Sequence, residues 1–279
     1  ALVHTSTLDV VYTGRPVIDG DERLPYPDPP ANAYCGTKAR AEQHVLRADG
    51  TRGRGAALRT AVIRPCSIYG ERDPYHVSSV LRMARRKVLF RMGDGSAVCQ
   101  HVYVGNVAHA HLLAARNLLE GGAAAGQAYF IADSPPQNFF DFLEPIVEGA
   151  GYRMHPWSRA LPRRVMYTLG LAAEALARAV RPVYRFTPTL SRFAVDFVCE
   201  PFTFLDHKAR RELGYAPVYD DELARQRTIA FFREHGPVCE REARADHPAA
   251  HLATPPPMSS KKAAGHDELS SPGGPGRVP

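Results

Sequence analysis

Near its start the chain runs from a β-branched stretch into a helix and out into a second β-branched stretch, and this order constrains the fold most. The first stretch is Val3-His4-Thr5-Ser6-Thr7-Leu8-Asp9-Val10-Val11-Tyr12 and the second is Leu58-Arg59-Thr60-Ala61-Val62-Ile63-Arg64-Pro65-Cys66-Ser67-Ile68-Tyr69-Gly70. Between them, residues 32–46 place apolar Ala41, Val45 and Leu46 at helical intervals. A proline and a glycine end the second strand by forcing the chain out of the ladder. The first ends in hydroxyls, which sit at the sheet rim where open α/β sheets bind ligands. The helix opens on Tyr34-Cys35-Gly36-Thr37-Lys38, so Tyr34 and Lys38 share one face at i and i+4. A free phenol titrates near pH ~10 and is a poor base at neutrality. A neighbouring ammonium favours the phenolate, the form that a proton-transfer catalyst needs.

One such pair is weak by itself, but it has company. Thr5-Ser6-Thr7, Tyr34 with Lys38, Ala41-Glu42-Gln43 and Arg64-Pro65-x-x-Ile68-Tyr69-Gly70 follow in order, and then His101-Val102-Tyr103-Val104-x-Asn106-Val107. Tyr129-Phe130-Ile131, Phe186-Thr187-Pro188 and Ala209-x-x-Glu212-Leu213-Gly214-Tyr215 continue the series. From about Val3 to Gly236 this pattern resembles the extended short-chain dehydrogenase/reductases, and within them the 3β-hydroxysteroid dehydrogenase/isomerase family. The resemblance implies an α/β Rossmann-like fold with a mainly helical substrate lobe.

Members of that family open with a glycine-rich turn, through which the backbone approaches a dinucleotide pyrophosphate. No Gly-x-x-Gly-x-x-Gly turn joins a leading strand to a helix here, and the sequence opens on Ala1. The expectation is therefore a piece of a longer protein, without the first strands, the glycine-rich turn and the Asn that completes the family's catalytic tetrad. Dinucleotide binding by this chain alone is expected to be weak or absent.

The expected layout has three parts. Residues 1–135 form a partial catalytic domain with a substrate-region insertion at about 74–100, and 136–236 form a mainly helical substrate-binding lobe. Residues 237–279 carry Pro255-Pro256-Pro257 and Ser270-Ser271-Pro272-Gly273-Gly274 with no aromatic side chain. Such a tail buries too little apolar surface to offset its ordering entropy and is expected to be disordered. Residues 14–31 are expected to be a loop over the active site, and 108–119 a helix.

The net charge of +6 comes from arginine scattered along the chain, which argues against a nucleic-acid partner. Cys35, Cys66, Cys99, Cys199 and Cys239 are single and widely spaced, so no metal is expected and a reducing compartment is. His109-Ala110-His111 is no chelating pair, because i and i+2 point to different helix faces. Residues 161–184 are apolar but interrupted by Glu174, Arg178 and Arg181, too short a run for a spanning helix. Their basic ends suit peripheral membrane contact, weighed against an ordinary amphipathic helix. The expected localisation is cytoplasmic or associated with the endoplasmic reticulum membrane, the latter implied by the resemblance, as is a homodimer.

The chemistry implied by the resemblance is hydride transfer between NAD or NADP and a steroid or sterol 3β-hydroxyl. Tyr34 would exchange a proton with the substrate oxygen. Lys38 would lower the Tyr34 pKa and bond the nicotinamide ribose. Thr7 would donate a hydrogen bond to the same oxygen, with Ser6 as the alternative in register. Pro65, Cys66 and Ser67 would edge the nicotinamide. The apolar stretch Phe186, Leu190, Phe193, Val195 and Phe197 would suit a sterol-like ligand or internal packing, and Trp157 a pocket wall or a turn. Two other readings stand beside this one: a nucleotide-sugar epimerase/dehydratase or related reductase on the same scaffold, and a non-catalytic binding product.

Overall fold

The computed structural model describes residues 1–53, 55–154, 161–184, 188 and 190–238. Phe186, Trp157, Cys239 and nearly all of the expected tail therefore lie outside the described residues.

The central sheet is parallel in the order β1 (Leu2–Thr5), β3 (Thr60–Pro65), β6 (Gln127–Ile131). All six residues of β3 are buried, as the middle strand of a parallel sheet covered on both faces must be. Helix α1 (Ala33–Arg47) connects β1 to β3, with an intervening strand β2 (Val17–Gly20), and both α1 and α3 (Val104–Leu119) pack on β3. Helix α3 begins four residues before the periodicity of its alanines and leucines suggests, directly from β5 (His101–Tyr103).

The chain changes sheets at Cys66. Its N–H still donates to Ile131 of the central sheet, whereas the next N–H, of Ser67, donates to Gln100. Strand β4 (Ser67–Tyr69) then pairs with β5 in a separate parallel ribbon. The long second β-run is thus two strands rather than one, and the divergence opens a crevice beyond the carboxyl ends of β1 and β3. Ligands of open α/β sheets bind in such crevices. Gly70 ends the ribbon at φ 143°, and a Cβ there would meet Val104 Cγ1 at 2.5 Å. The Ile68-Tyr69-Gly70 motif needs its glycine for this approach.

The 14–31 segment holds more than a loop. Strand β2 pairs with β7 (Phe202–Phe204), which itself interrupts the part of the chain expected to be mainly helical. Only tertiary pairing could produce so short a ribbon, since its two strands are 184 residues apart at the Asp19–Thr203 bond. Helices α2 (His76–Arg85), α4 (Phe139–Gly149), α5 (Arg163–Val180) and α6 (Arg192–Cys199) lie beyond β4. Helix α7 (His207–Leu213) packs on β6 and α3, and α8 (Asp221–His235) on α4.

Candidate active site

Helix α1 starts where its cap requires. Asn32 has extended backbone geometry (φ −156°) and its side chain accepts the Cys35 N–H at 2.9 Å, satisfying one of the helix's orphan donors. Three polar residues then fall at i, i+4 and i+8 along one face: Tyr34, Lys38 and Glu42. Burial deepens along that face. Tyr34 is half-exposed, Lys38 partly buried and Glu42 fully buried.

Glu42 anchors the helix in the core. Its carboxylate accepts from Arg64 at 2.5 Å, from Tyr26 at 2.7 Å, and from Ser6. Arg64 is itself buried, with its guanidinium 5.1 Å from the Phe130 ring centre. One ion pair thus ties α1 to β3 and to the end of β1, directly below the site. Buried charges persist only when paired and hydrogen-bonded in this way. In the sequence, Glu42 and Arg64 are family markers with no role assigned to them. The signal was present, since Glu42 extends the Tyr34–Lys38 stripe by one more helical step.

At the rim, Ser6, Thr7, Tyr34, Pro65, Cys66 and Ser67 line one cavity of about 800 Å³. Lys38 stands one turn below Tyr34 and donates to the Thr5 carbonyl at 2.8 Å. Ser6 donates to the buried Glu42 carboxylate below the rim, whereas Thr7 is bonded to Asp9, which lines the cavity. The Thr7 hydroxyl donates to Asp9 Oδ2 at 2.9 Å and accepts from the Asp9 N–H at 3.3 Å.

Burial, and then the Asp9 charge, push the Tyr34 phenol above its ordinary value, while the neighbouring Thr7 side chain acts the other way. Burial likewise lowers the Lys38 pKa, and its ammonium is aimed at the Thr5 carbonyl.

Other residues prominent in the sequence are structural. Burial raises the Cys35 thiol to about 11, which removes a thiolate role. His101 is buried and stacks on Phe142 with ring centres 3.6 Å apart, so burial drives its pKa well down and keeps it neutral. His111 bonds Thr5 Oγ1 and the Val107 carbonyl. Asn106 staples the start of α3 to the 218–219 turn, accepting from the Val218 and Tyr219 N–H groups and donating to Asp133 and the Tyr219 carbonyl. Phe193 packs edge-on against Tyr12, whereas Phe197 lines the cavity. Among the described residues no cluster of His, Cys, Asp or Glu could hold a metal ion.

A parallel sheet with a crevice at its carboxyl edge and a Tyr-x-x-x-Lys helix beside it define an extended short-chain dehydrogenase/reductase. A dTDP-glucose 4,6-dehydratase from Bacillus anthracis, solved in complex with NAD, shares this fold with a TM-score of 0.56 at 16% identity. The match covers 86% of this chain and 63% of that one. The model of the 3-beta hydroxysteroid dehydrogenase/isomerase family matches residues 1–163, and the chain belongs to that family. It is 37% identical to mouse (Mus musculus) short-chain dehydrogenase/reductase family 42E member 1, over 84% of this chain and 60% of that protein. It is also 37% identical to 3beta-hydroxysteroid-dehydrogenase/decarboxylase isoform 1 of Arabidopsis thaliana, over 83% of this chain and 53% of that one. The chain therefore spans between half and two thirds of the length of these relatives.

Tyr34 and the Pro65-Cys66-Ser67 edge share the cavity, with Lys38 one turn below, and these are the groups that the nicotinamide end of an NAD(P) molecule would meet there. A pyrophosphate cradle is not found among the described residues, and β1 is the edge of the described sheet.

Proposed function

We propose that this chain carries the proton-transfer and substrate-binding part of an NAD(P)-linked dehydrogenase acting on the 3β-hydroxyl of a steroid or sterol. The observation that carries the reading is the convergence of Thr7, Tyr34 and Pro65-Cys66-Ser67 on one cavity, which Leu8, Ile68, Val104 and Phe197 make largely apolar. A bound cofactor would supply the hydride acceptor. Tyr34 takes the proton from the substrate hydroxyl, and Thr7 orients the same oxygen. Lys38, fixed through the Thr5 carbonyl, has further N–H donors to offer a ribose hydroxyl. The apolar walls favour a fused-ring ligand over a sugar nucleotide, for whose two phosphates the lining offers one cation, Arg72.

NADH formation from a 3β-hydroxysteroid, assayed with the protein expressed from its own gene, tests the reading. Turnover that Tyr34→Phe abolishes is expected. Turnover of nucleotide-sugars and not of steroids would sink it. For the chain alone, a dinucleotide dissociation constant in the low-micromolar range would contradict the division of the cofactor site described above.

The proposal extends to the membrane. Helix α5 exposes Val165, Leu169 and Leu176 beside exposed Arg164 and Arg178, the make-up of a helix that lies in a lipid interface. No described helix is long and apolar enough to cross a bilayer.

A further inference from the structure

Asp9 enters the site by way of the 3-10 turn Leu8–Val11 that follows Thr7. It lines the same cavity as Thr7 and Tyr34. One carboxyl oxygen, Oδ2, accepts the Thr7 proton; the other, Oδ1, is buried with no partner among the described residues. A carboxylate half-satisfied in this way is held at a cost, and a carboxyl that can take up a proton relieves it.

The Thr7 hydroxyl has one proton and two lone pairs. One lone pair takes the Asp9 N–H. The proton is claimed from two sides. Ionised Asp9 draws it to Oδ2, and stabilising a Tyr34 phenolate or a substrate carbonyl needs the same proton pointed into the cavity. Both demands cannot be met at once. If Asp9 is protonated, its own O–H donates to the second Thr7 lone pair, and the Thr7 proton is released toward Tyr34 and the substrate oxygen.

We propose that Asp9 is a positioning residue of this active site, whose buried carboxyl sets whether the Thr7 proton points toward Tyr34 and the substrate oxygen or away from them. The inference rests on the dehydrogenase reading for its use, but the coupling itself belongs to these three side chains. Burial raises the Asp9 pKa and the Thr7 hydrogen bond lowers it, so the carboxyl responds to which way that hydroxyl points. The other ionisable groups around it come from every neighbouring element. Tyr34 and Cys35 lie on α1, Tyr12 just beyond the turn, and Cys66 at the end of β3. Asp196 and Glu200 reach the same surroundings through Tyr12, while Glu71, Arg72, Asp73, Tyr75 and His76 line the far wall of the cavity. Arg72 is the one arginine or lysine among the cavity-lining residues described.

Two carbon-13 NMR titrations on the chain itself test this. The first follows the tyrosine Cζ resonances, with Tyr34→Phe assigning the signal. Asp9→Asn should raise the Tyr34 phenolate fraction below its midpoint about tenfold, the size expected for removing a neighbouring like charge, and the gain should shrink in a Thr7→Val background. An unchanged Tyr34 midpoint in both Asp9→Asn and Asp9→Ala would overturn the proposal. A gain undiminished by Thr7→Val would show direct charge repulsion and overturn the role of Thr7. The second follows the Asp9 carboxyl carbon in the acid range, where alkaline unfolding cannot interfere. Thr7→Val should move its midpoint upward by removing the donor that stabilises the carboxylate, and no movement would overturn the coupling. Neither titration needs turnover, so a protein that fails to oxidise steroids defeats the proposed function and leaves this result readable.

Discussion

Tyr34 and Glu42 lie on the same helical stripe and do opposite work. Tyr34 is 52% exposed, so replacing it should change chemistry and not folding: Tyr34→Phe is expected to leave the thermal midpoint within about 2 °C, as for a surface change, while removing turnover. Glu42 is completely buried and bonded to Arg64, Tyr26 and Ser6. Removing one partner of a buried pair leaves the other charge uncompensated, which costs about 3–5 kcal/mol. Glu42→Gln should therefore lower unfolding stability by that order in a urea titration. A loss below about 1 kcal/mol would mean that Arg64 finds another acceptor or water, as an exposed pair does.

The elements around the site depend on caps and faces that can be tested separately. Asn32→Ala removes the side-chain acceptor for the Cys35 N–H and should destabilise by about 1 kcal/mol. Because Tyr34 sits in the first turn of α1, the same change should also fray its position, visible as faster amide exchange at residues 33–36. Helix α5 is a matter of its outer face. Leu169 and Leu176 are 50% and 58% exposed, so Leu169→Glu with Leu176→Glu should barely change folding and should abolish co-sedimentation with anionic vesicles. Equal sedimentation of the double variant would leave α5 as an ordinary amphipathic helix.

Over the whole molecule, stability should depend on pH through Asp133, which accepts from the Tyr103 N–H and from Asn106. Burial raises its pKa to about 6 in spite of those bonds. A carboxyl with a raised folded-state value binds its proton more tightly when folded, so its stabilising contribution is complete below the unfolded value of about 4 and is lost as pH rises through about 6. Asp133→Asn should flatten urea midpoints across that window. An unaltered pH profile would show that Asp133 is already ionised at pH 4.

Much of this was legible in the chain by itself, because local chemistry determines it. The β-branched runs, the helix over 32–46 and the Tyr34–Lys38 spacing depend on neighbours within a few residues, and those neighbours were readable. So were the hydroxyls of Thr7 and the Pro65-Cys66-Ser67 edge, since strand ends lie at the rim of a parallel sheet wherever the sheet goes. The β2–β7 ribbon and the change of sheet at Cys66 are long-range pairings, which no local pattern encodes; the Glu42 step along the stripe was readable, but its Arg64 partner on β3 was not. The protonation balance at Tyr34 was settled by packing as well. Burial and the Asp9 carboxylate push the phenol up, because desolvation and charge act through space, and only the folded chain brings the Thr7–Asp9 turn beside Tyr34.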